Sequence, residues 1–226
     1  MITIKQLFEP NSSTYTYLLF DQQLRQAVII DPVDTEVKIY LQELEGSTLK
    51  IILDTHLHAD HVTAAAVLKE KTDAHYGLNA ALEGVDLPLQ DGQIITIGSI
   101  KIKVISTPGH TVESVCFLVD SLLFTGDTLL IGKCGRTDFQ GGSAAALYNS
   151  VTQKIFTLPD DIMVYPGHEY DGRTHSTLGW EKKNNSRLAH KTKEEFIAIM
   201  DNLNLPYPKT MGVAVPANMK CGRRLK

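Results

Sequence analysis

The chain has 226 residues, 43% of them hydrophobic and 21% charged, with a formal charge of -4. A domain of this length buries enough surface to need neither disulfides nor a structural metal. The mildly acidic balance speaks against nucleic acid or an anionic membrane as a partner. Cys116, Cys134 and Cys221 are widely spaced and form no CxxC pair, and no apolar run approaches the roughly 18 residues that cross a bilayer. The first residues carry no secretory or transit pattern, so a cytoplasmic protein is expected, with Cys221 as an ordinary buried thiol.

In chain order, residues 14–20 and 27–31 read as strands, the second stopped by Asp31-Pro32. Val37, Tyr40, Leu41 and Leu44 recur at helical spacing across 34–44. A short apolar strand over 50–54 runs into a histidine-rich segment, and an Ala-rich helix is expected over 62–71. Strands are expected over 93–97, 100–106, 114–119 and 122–125, then a helix over 143–156 and a strand over 162–165. Thr192 and Glu195 match a capping box that opens a helix with Phe196, Ile197, Met200 and Leu203 on one face. Two βαβ-like stretches imply sheets flanked by helices. With no low-complexity linker, one domain over 1–226 is expected, with a short helical C-terminal extension from about residue 170.

The chemistry concentrates at strand ends. Thr55-His56-Leu57-His58-Ala59-Asp60-His61 follows the apolar strand. In extended chain His56 and His58 project to the same side. If a helix begins near Asp60, Asp60 and His61 occupy its first turn. Pro108-Gly109-His110, Gly126-Asp127 and Pro166-Gly167-His168 each end another strand, and side chains gathered at strand ends are a common way to build a site. Imidazole and carboxylate suit Zn, Fe and Mn alike, so the donors alone leave metal identity and number open. Gly126 to Lys133 has the wrong spacing for a phosphate loop.

The string at residues 56–61, with His110, Asp127 and His168, resembles the metallo-β-lactamase superfamily. That resemblance implies an α/β fold, an αβ/βα sandwich of two mixed sheets flanked by helices. In its two-metal members His56, His58 and His110 correspond to one ligand set, Asp60, His61 and His168 to the other, and Asp127 to the bridge. Residues 134–140 (Cys-Gly-Arg-Thr-Asp-Phe-Gln), 154–159, 202–206 and 215–219 (Val-Pro-Ala-Asn-Met) are more specific. They make the chain similar, over nearly its whole length, to the persulfide dioxygenases of the ethylmalonic-encephalopathy protein type.

That resemblance implies one Fe(II) per chain on His56, His110 and Asp127, with His58, Asp60, His61 and His168 as surrounding or second-metal groups. It implies oxidation of glutathione persulfide by O2 to sulfite, releasing glutathione, in sulfide detoxification. Thr111, Arg136, Tyr170 and Arg187 would contact the substrate, arginine being suited to its carboxylates. The alternative is a hydroxyacylglutathione hydrolase of the glyoxalase II type, with two Zn or a mixed Zn/Fe pair activating hydroxide. Gly167-His168-Glu169-Tyr170 resembles that family somewhat better. Neither nucleic acid nor membrane is expected as a partner. Sequence does not set the oligomeric state, and a homodimer is the assembly kept in view.

Overall fold

The computed structural model describes residues 2–224. The chain divides into two compact units, one of Met1–Leu89, Ile94–Ile102 and Tyr207–Lys226, the other of Gln90–Gln93 and Lys103–Pro206.

The first unit opens with an antiparallel meander of β1 (Ile2–Glu9), β2 (Thr14–Asp21) and β3 (Gln26–Ile30). After a 3-10 turn, helix α1 (Val37–Glu43) leads to β4 (Thr48–Leu53), and α2 (Ala65–Thr72) leads to β5 (His75–Leu78). With β6 (Leu87–Pro88) these strands continue the sheet in parallel, giving the order β1-β2-β3-β4-β5-β6. The parallel strands are apolar runs, as burial on both faces requires, and Ile29, Ile30, Ile52 and Leu53 are fully buried. Tyr40 of α1 and Leu68 of α2 pack in the same core as Leu18, Ile29 and Ile52. The short strand β7 (Ile94–Ile97) also belongs to this unit.

Strand β8 (Ile100–Ser106) enters the second unit at Lys103, and there it, β9 (Val115–Val119) and β10 (Leu122–Gly126) pair antiparallel. Strand β11 (Met163–Pro166) joins β10 in parallel, and β12 (Ser176–Thr177) closes the edge antiparallel. Both sheets are therefore mixed. Helix α3 (Ala144–Ser150) is capped by Ser143, whose side chain accepts from Ala146 N, and continues as a π-helical turn over Val151–Ile155. Helix α4 (Leu178–Asn184) and helix α5 (Lys193–Asp201) follow, α5 beginning with the expected Thr192–Glu195 capping box. Leu147, Val151, Phe196 and Met200 share one core with Leu123 and Val164. Helix α6 (Met211–Asn218), with Pro216 inside it, returns the chain to the first unit.

One expected boundary is corrected. The helix after β4 starts at Ala65, not near Asp60, so Asp60 and His61 lie in an irregular loop. The reason is where the backbone groups go. Val62 O accepts from Asp34 N (2.9 Å), Ala64 N donates to Pro32 O (2.7 Å), and Thr63 N donates to the Asn218 side chain (2.9 Å). These groups are spent outside any helical ladder. Strands β1 and β5 had no expected counterpart, and α6 was expected only as an undelimited part of the helical C-terminal extension. Among the described residues no helix is long and apolar enough to cross a membrane.

Asp21, at the end of β2, gathers the backbone N–H groups of Gln23 (2.9 Å), Leu24 (3.0 Å) and Ser99 (2.6 Å). The bonds from Leu24 and then Ser99 pull its carboxyl down to about 2. A depressed carboxylate stabilises the fold above its unfolded pKa, and that contribution fades as pH falls toward the folded value. Urea midpoints measured from pH 5 to pH 2 are therefore expected to fall less steeply for Asp21→Ala than for the wild type. Parallel curves would exclude this role.

Candidate metal centre

In the first unit, β4 delivers the chain directly into Asp54-Thr55-His56, and the loop carries His58, Asp60 and His61. Asp31 at the end of β3 organises it. This residue adopts φ 51°, a left-handed conformation that aspartate tolerates better than most residues. Its carboxylate accepts from Thr55 N (2.7 Å) and from Thr55 Oγ1 (2.9 Å), and it pairs with His58 Nε2 at 3.2 Å.

These bonds settle the imidazole tautomers. The single Thr55 hydroxyl proton goes to Asp31, so His56 Nδ1, 2.9 Å from Thr55 Oγ1, must be the donor there. His56 Nε2 is then the acceptor nitrogen of the ring, the atom that a metal would take. By the same argument His58 Nε2 donates to Asp31, leaving Nδ1 as its acceptor atom. His61 Nδ1 donates to Asp60 Oδ2 at 3.0 Å, leaving Nε2. Each ring uses one nitrogen on a carboxylate or hydroxyl and keeps the other basic, the arrangement that metal-binding histidines require. His58, Asp60 and His61 offer donor atoms within 4.8 Å of one another, as do Asp31, Asp54 and His58. Burial and the neighbouring Asp31 charge push the Asp54 carboxyl up, and Tyr76 donates to it at 2.7 Å.

In the second unit, Asp127 after β10 stands between two histidines. His110 Nε2 lies 3.5 Å from Asp127 Oδ2, and His168 Nε2 lies 3.5 Å from Oδ1. His110 Nδ1 donates to the Arg136 carbonyl at 2.7 Å, because a carbonyl can only accept. Nε2 of His110 then faces a carboxylate oxygen across a gap that a bridging cation would fill. The donor chemistry of both units thus fits a divalent metal.

Glycines allow the backbone this close. A Cβ on Gly109, at φ 145°, would lie 2.3 Å from the backbone of Leu147. One on Gly167 would sit 2.9 Å from Asp127 Oδ1. Both Pro-Gly-His turns therefore need glycine for space, and Gly109 needs it for conformation as well.

The expected substrate residues are placed differently from one another. Thr111 is fully buried, and its hydroxyl meets Ser114 Oγ at 2.7 Å. Arg136 makes two 2.6 Å bonds to Asp138 and donates to the Pro206 carbonyl at 2.7 Å. Arg187 donates to Cys134 O at 2.5 Å. Tyr170 is exposed, stacks on His168 with centroids 6.2 Å apart, and carries Lys133 Nζ 4.9 Å from its ring centroid. Sequence reasoning passed over Asp31, Thr55, Lys133 and Asn218. Asp31 was legible only as a strand breaker. Cys116, Cys134 and Cys221 are buried thiols outside any disulfide, and burial raises the Cys134 and Cys221 thiols to about 11.

Two mixed sheets with helices, and histidine and aspartate donors at strand ends, define a protein of the metallo-β-lactamase fold. Residues 11–89 and 79–168 match the family model described as "Metallo-beta-lactamase superfamily". The chain is 45% identical to "Persulfide dioxygenase ETHE1, mitochondrial" of Mus musculus, over 98% of this chain and 89% of that one. It is equally 45% identical to the Homo sapiens protein of the same name, with the same coverage. The crystal structure of ETHE1 from Myxococcus xanthus superposes with a TM-score of 0.95 at 47% identity, covering 97% of this chain and 99% of that chain. The chain belongs to the persulfide dioxygenase family of the metallo-β-lactamase superfamily.

Proposed function

We propose that this protein is a glutathione persulfide dioxygenase, converting glutathione persulfide, O2 and water to glutathione and sulfite. The near full-length similarity to the Mus musculus persulfide dioxygenase carries this reading. We assign one Fe(II) per chain to His56, His110 and Asp127, with His58, Asp60, His61 and His168 as the groups around it. When bound, the iron supplies redox chemistry and, with only three protein donors, open positions for sulfur and O2.

The chain's own residues orient and bind. Asp31, through Thr55, holds the His56 proton on Nδ1 and keeps Nε2 basic. The Arg136 carbonyl does the same for His110. Lys133, held 4.9 Å from the centroid of the exposed Tyr170 ring, offers a cation to the glutathione carboxylates, and the ring offers apolar surface beside it. Arg187 adds a second cation, and Arg136 acts by holding its segment through Asp138 and Pro206. Thr111, fully buried, supports the turn that carries His110.

The test is oxygen uptake by iron-loaded protein given glutathione persulfide, with sulfite measured alongside. The expected result is one sulfite per O2 consumed and about one iron per chain. Iron-loaded protein that takes up no oxygen would overturn the reading. Two metals per chain with hydrolysis of a hydroxyacylglutathione would put the glyoxalase II-type alternative in its place.

A further inference from the structure

The loop that carries His56, His58, Asp60 and His61 has no secondary-structure ladder of its own, so its carbonyls need partners from elsewhere. Two of those partners come from one side chain. Asn218, the last residue of α6, is 2% exposed. Its Nδ2 donates to the carbonyls of His58 (2.8 Å) and His61 (2.9 Å), and its Oδ1 accepts from Thr63 N (2.9 Å). The amide orientation is fixed by this set, since a flipped group would turn its oxygen onto two carbonyl oxygens.

Neighbouring residues reinforce the contact. Thr210 Oγ1 donates to the Asp60 carbonyl at 2.5 Å, and Ala66 N donates to Cys221 O at 2.9 Å. Val62 of the loop packs against Ala214 and Ala217 of α6. A Cβ on Gly222 would come within 2.2 Å of the Thr63 carbonyl. Residues 210–222 thus bind the loop along much of its length.

We propose that Asn218, seconded by Thr210, is a positioning residue of the metal site. Through the two carbonyls it holds, it sets where the rings of the loop point. The C-terminal helix is then a working part of the centre and not a passive cover. The inference rests on the reading that this loop binds metal.

Asn218→Asp is nearly isosteric, keeps the acceptor for Thr63 N, and turns a carboxylate oxygen toward the two carbonyls. Asn218→Ala removes all three bonds. Co(II), titrated against a competing chelator, gives both an affinity and a visible spectrum that reports ligand geometry. Leu49→Ala, at the far end of β4 in the same buried core, serves as a control that loses thermal stability without touching the loop.

Both Asn218 variants are expected to bind Co(II) about 10–100-fold more weakly, the range for lost outer-shell hydrogen bonds. Their Co(II) spectra are expected to change as well. Leu49→Ala should melt earlier yet keep the wild-type affinity and spectrum. Wild-type affinity and spectrum in folded Asn218 variants would overturn the proposal, as would an equal loss in Leu49→Ala. If neither Asn218 variant folds, Thr210→Val at an exposed hydroxyl decides: weakened binding supports the positioning role, and unchanged binding overturns it. Failure of the wild type itself to bind Co(II) or Fe(II) would instead strike the metal reading.

Discussion

An Asp127→Ala variant is expected to lose persulfide-dependent oxygen uptake by more than about 100-fold, beyond the upper end of what loss of an outer hydrogen-bond partner costs. Asp127 is the only carboxylate among the three proposed iron ligands, and its two oxygens lie 3.5 Å from His110 Nε2 and 3.5 Å from His168 Nε2. Without it, two imidazoles face each other with no anion between them, and a divalent cation loses its charge partner. The effect should appear in binding before it appears in rate. A ligand at 100 times its dissociation constant stabilises the native state by about 2.7 kcal/mol, so added Fe(II) should raise the melting temperature of the wild type measurably. The same addition should leave Asp127→Ala unmoved. A variant that keeps both the metal-linked shift and the activity would remove Asp127 from the ligand set.

The second large effect is expected at Gly135, in the Cys134-Gly135-Arg136 segment. Gly135 N donates to Asp127 O at 2.8 Å. A Cβ added there would stand 2.5 Å from Asp127 O, 2.8 Å from His110 Nδ1 and 2.9 Å from Asp127 Cβ. Two of these three atoms belong to the Asp127 backbone and its first side-chain carbon, and the third to a ring pinned by its bond to the Arg136 carbonyl. Neither neighbour can swing away as a flexible side-chain tip could. Gly135→Ala must therefore shift two proposed ligands at once. Overpacking of this kind costs about 1–3 kcal/mol, or roughly 2–12 °C in a chain of this size. A misplacement near 1 Å can cost about 100-fold in rate. Activity should consequently fall far more than the melting temperature, and metal affinity should fall with it. Wild-type activity in Gly135→Ala would mean that this close approach is not needed.

Much of the fold was legible along the chain because its signals are local. The apolar run Ile51-Ile52-Leu53, the alternation of Ile100, Ile102 and Val104 with Lys101 and Lys103, and the Thr192–Glu195 capping box all report conformations set by near neighbours. Strand β1 alternates too, but its partly exposed, mixed residues present no continuous apolar face. Helix α6 hid behind Gly212 and Pro216, since proline within a helix forfeits a backbone bond. Burial of Ala214, Ala217 and Asn218 compensates, and burial is a property of the folded chain.

The proposed donors of the site were likewise visible, because metal chemistry demands particular residue types at strand ends. His56, His58, Asp60, His61, His110, Asp127 and His168 all announce themselves by type and spacing. What those donors are free to do was decided only by the tertiary structure. Asp31 reaches Thr55 across 24 residues, and Asn218 reaches the His61 carbonyl across 157. Those contacts orient the rings of His56 and His58, and they hold the loop out of a helix. Alone, an aspartate before proline reads as a turn, and an asparagine near a proline reads as a break. Their roles come from hydrogen-bond partners distant in sequence, and only the folded chain brings those partners together.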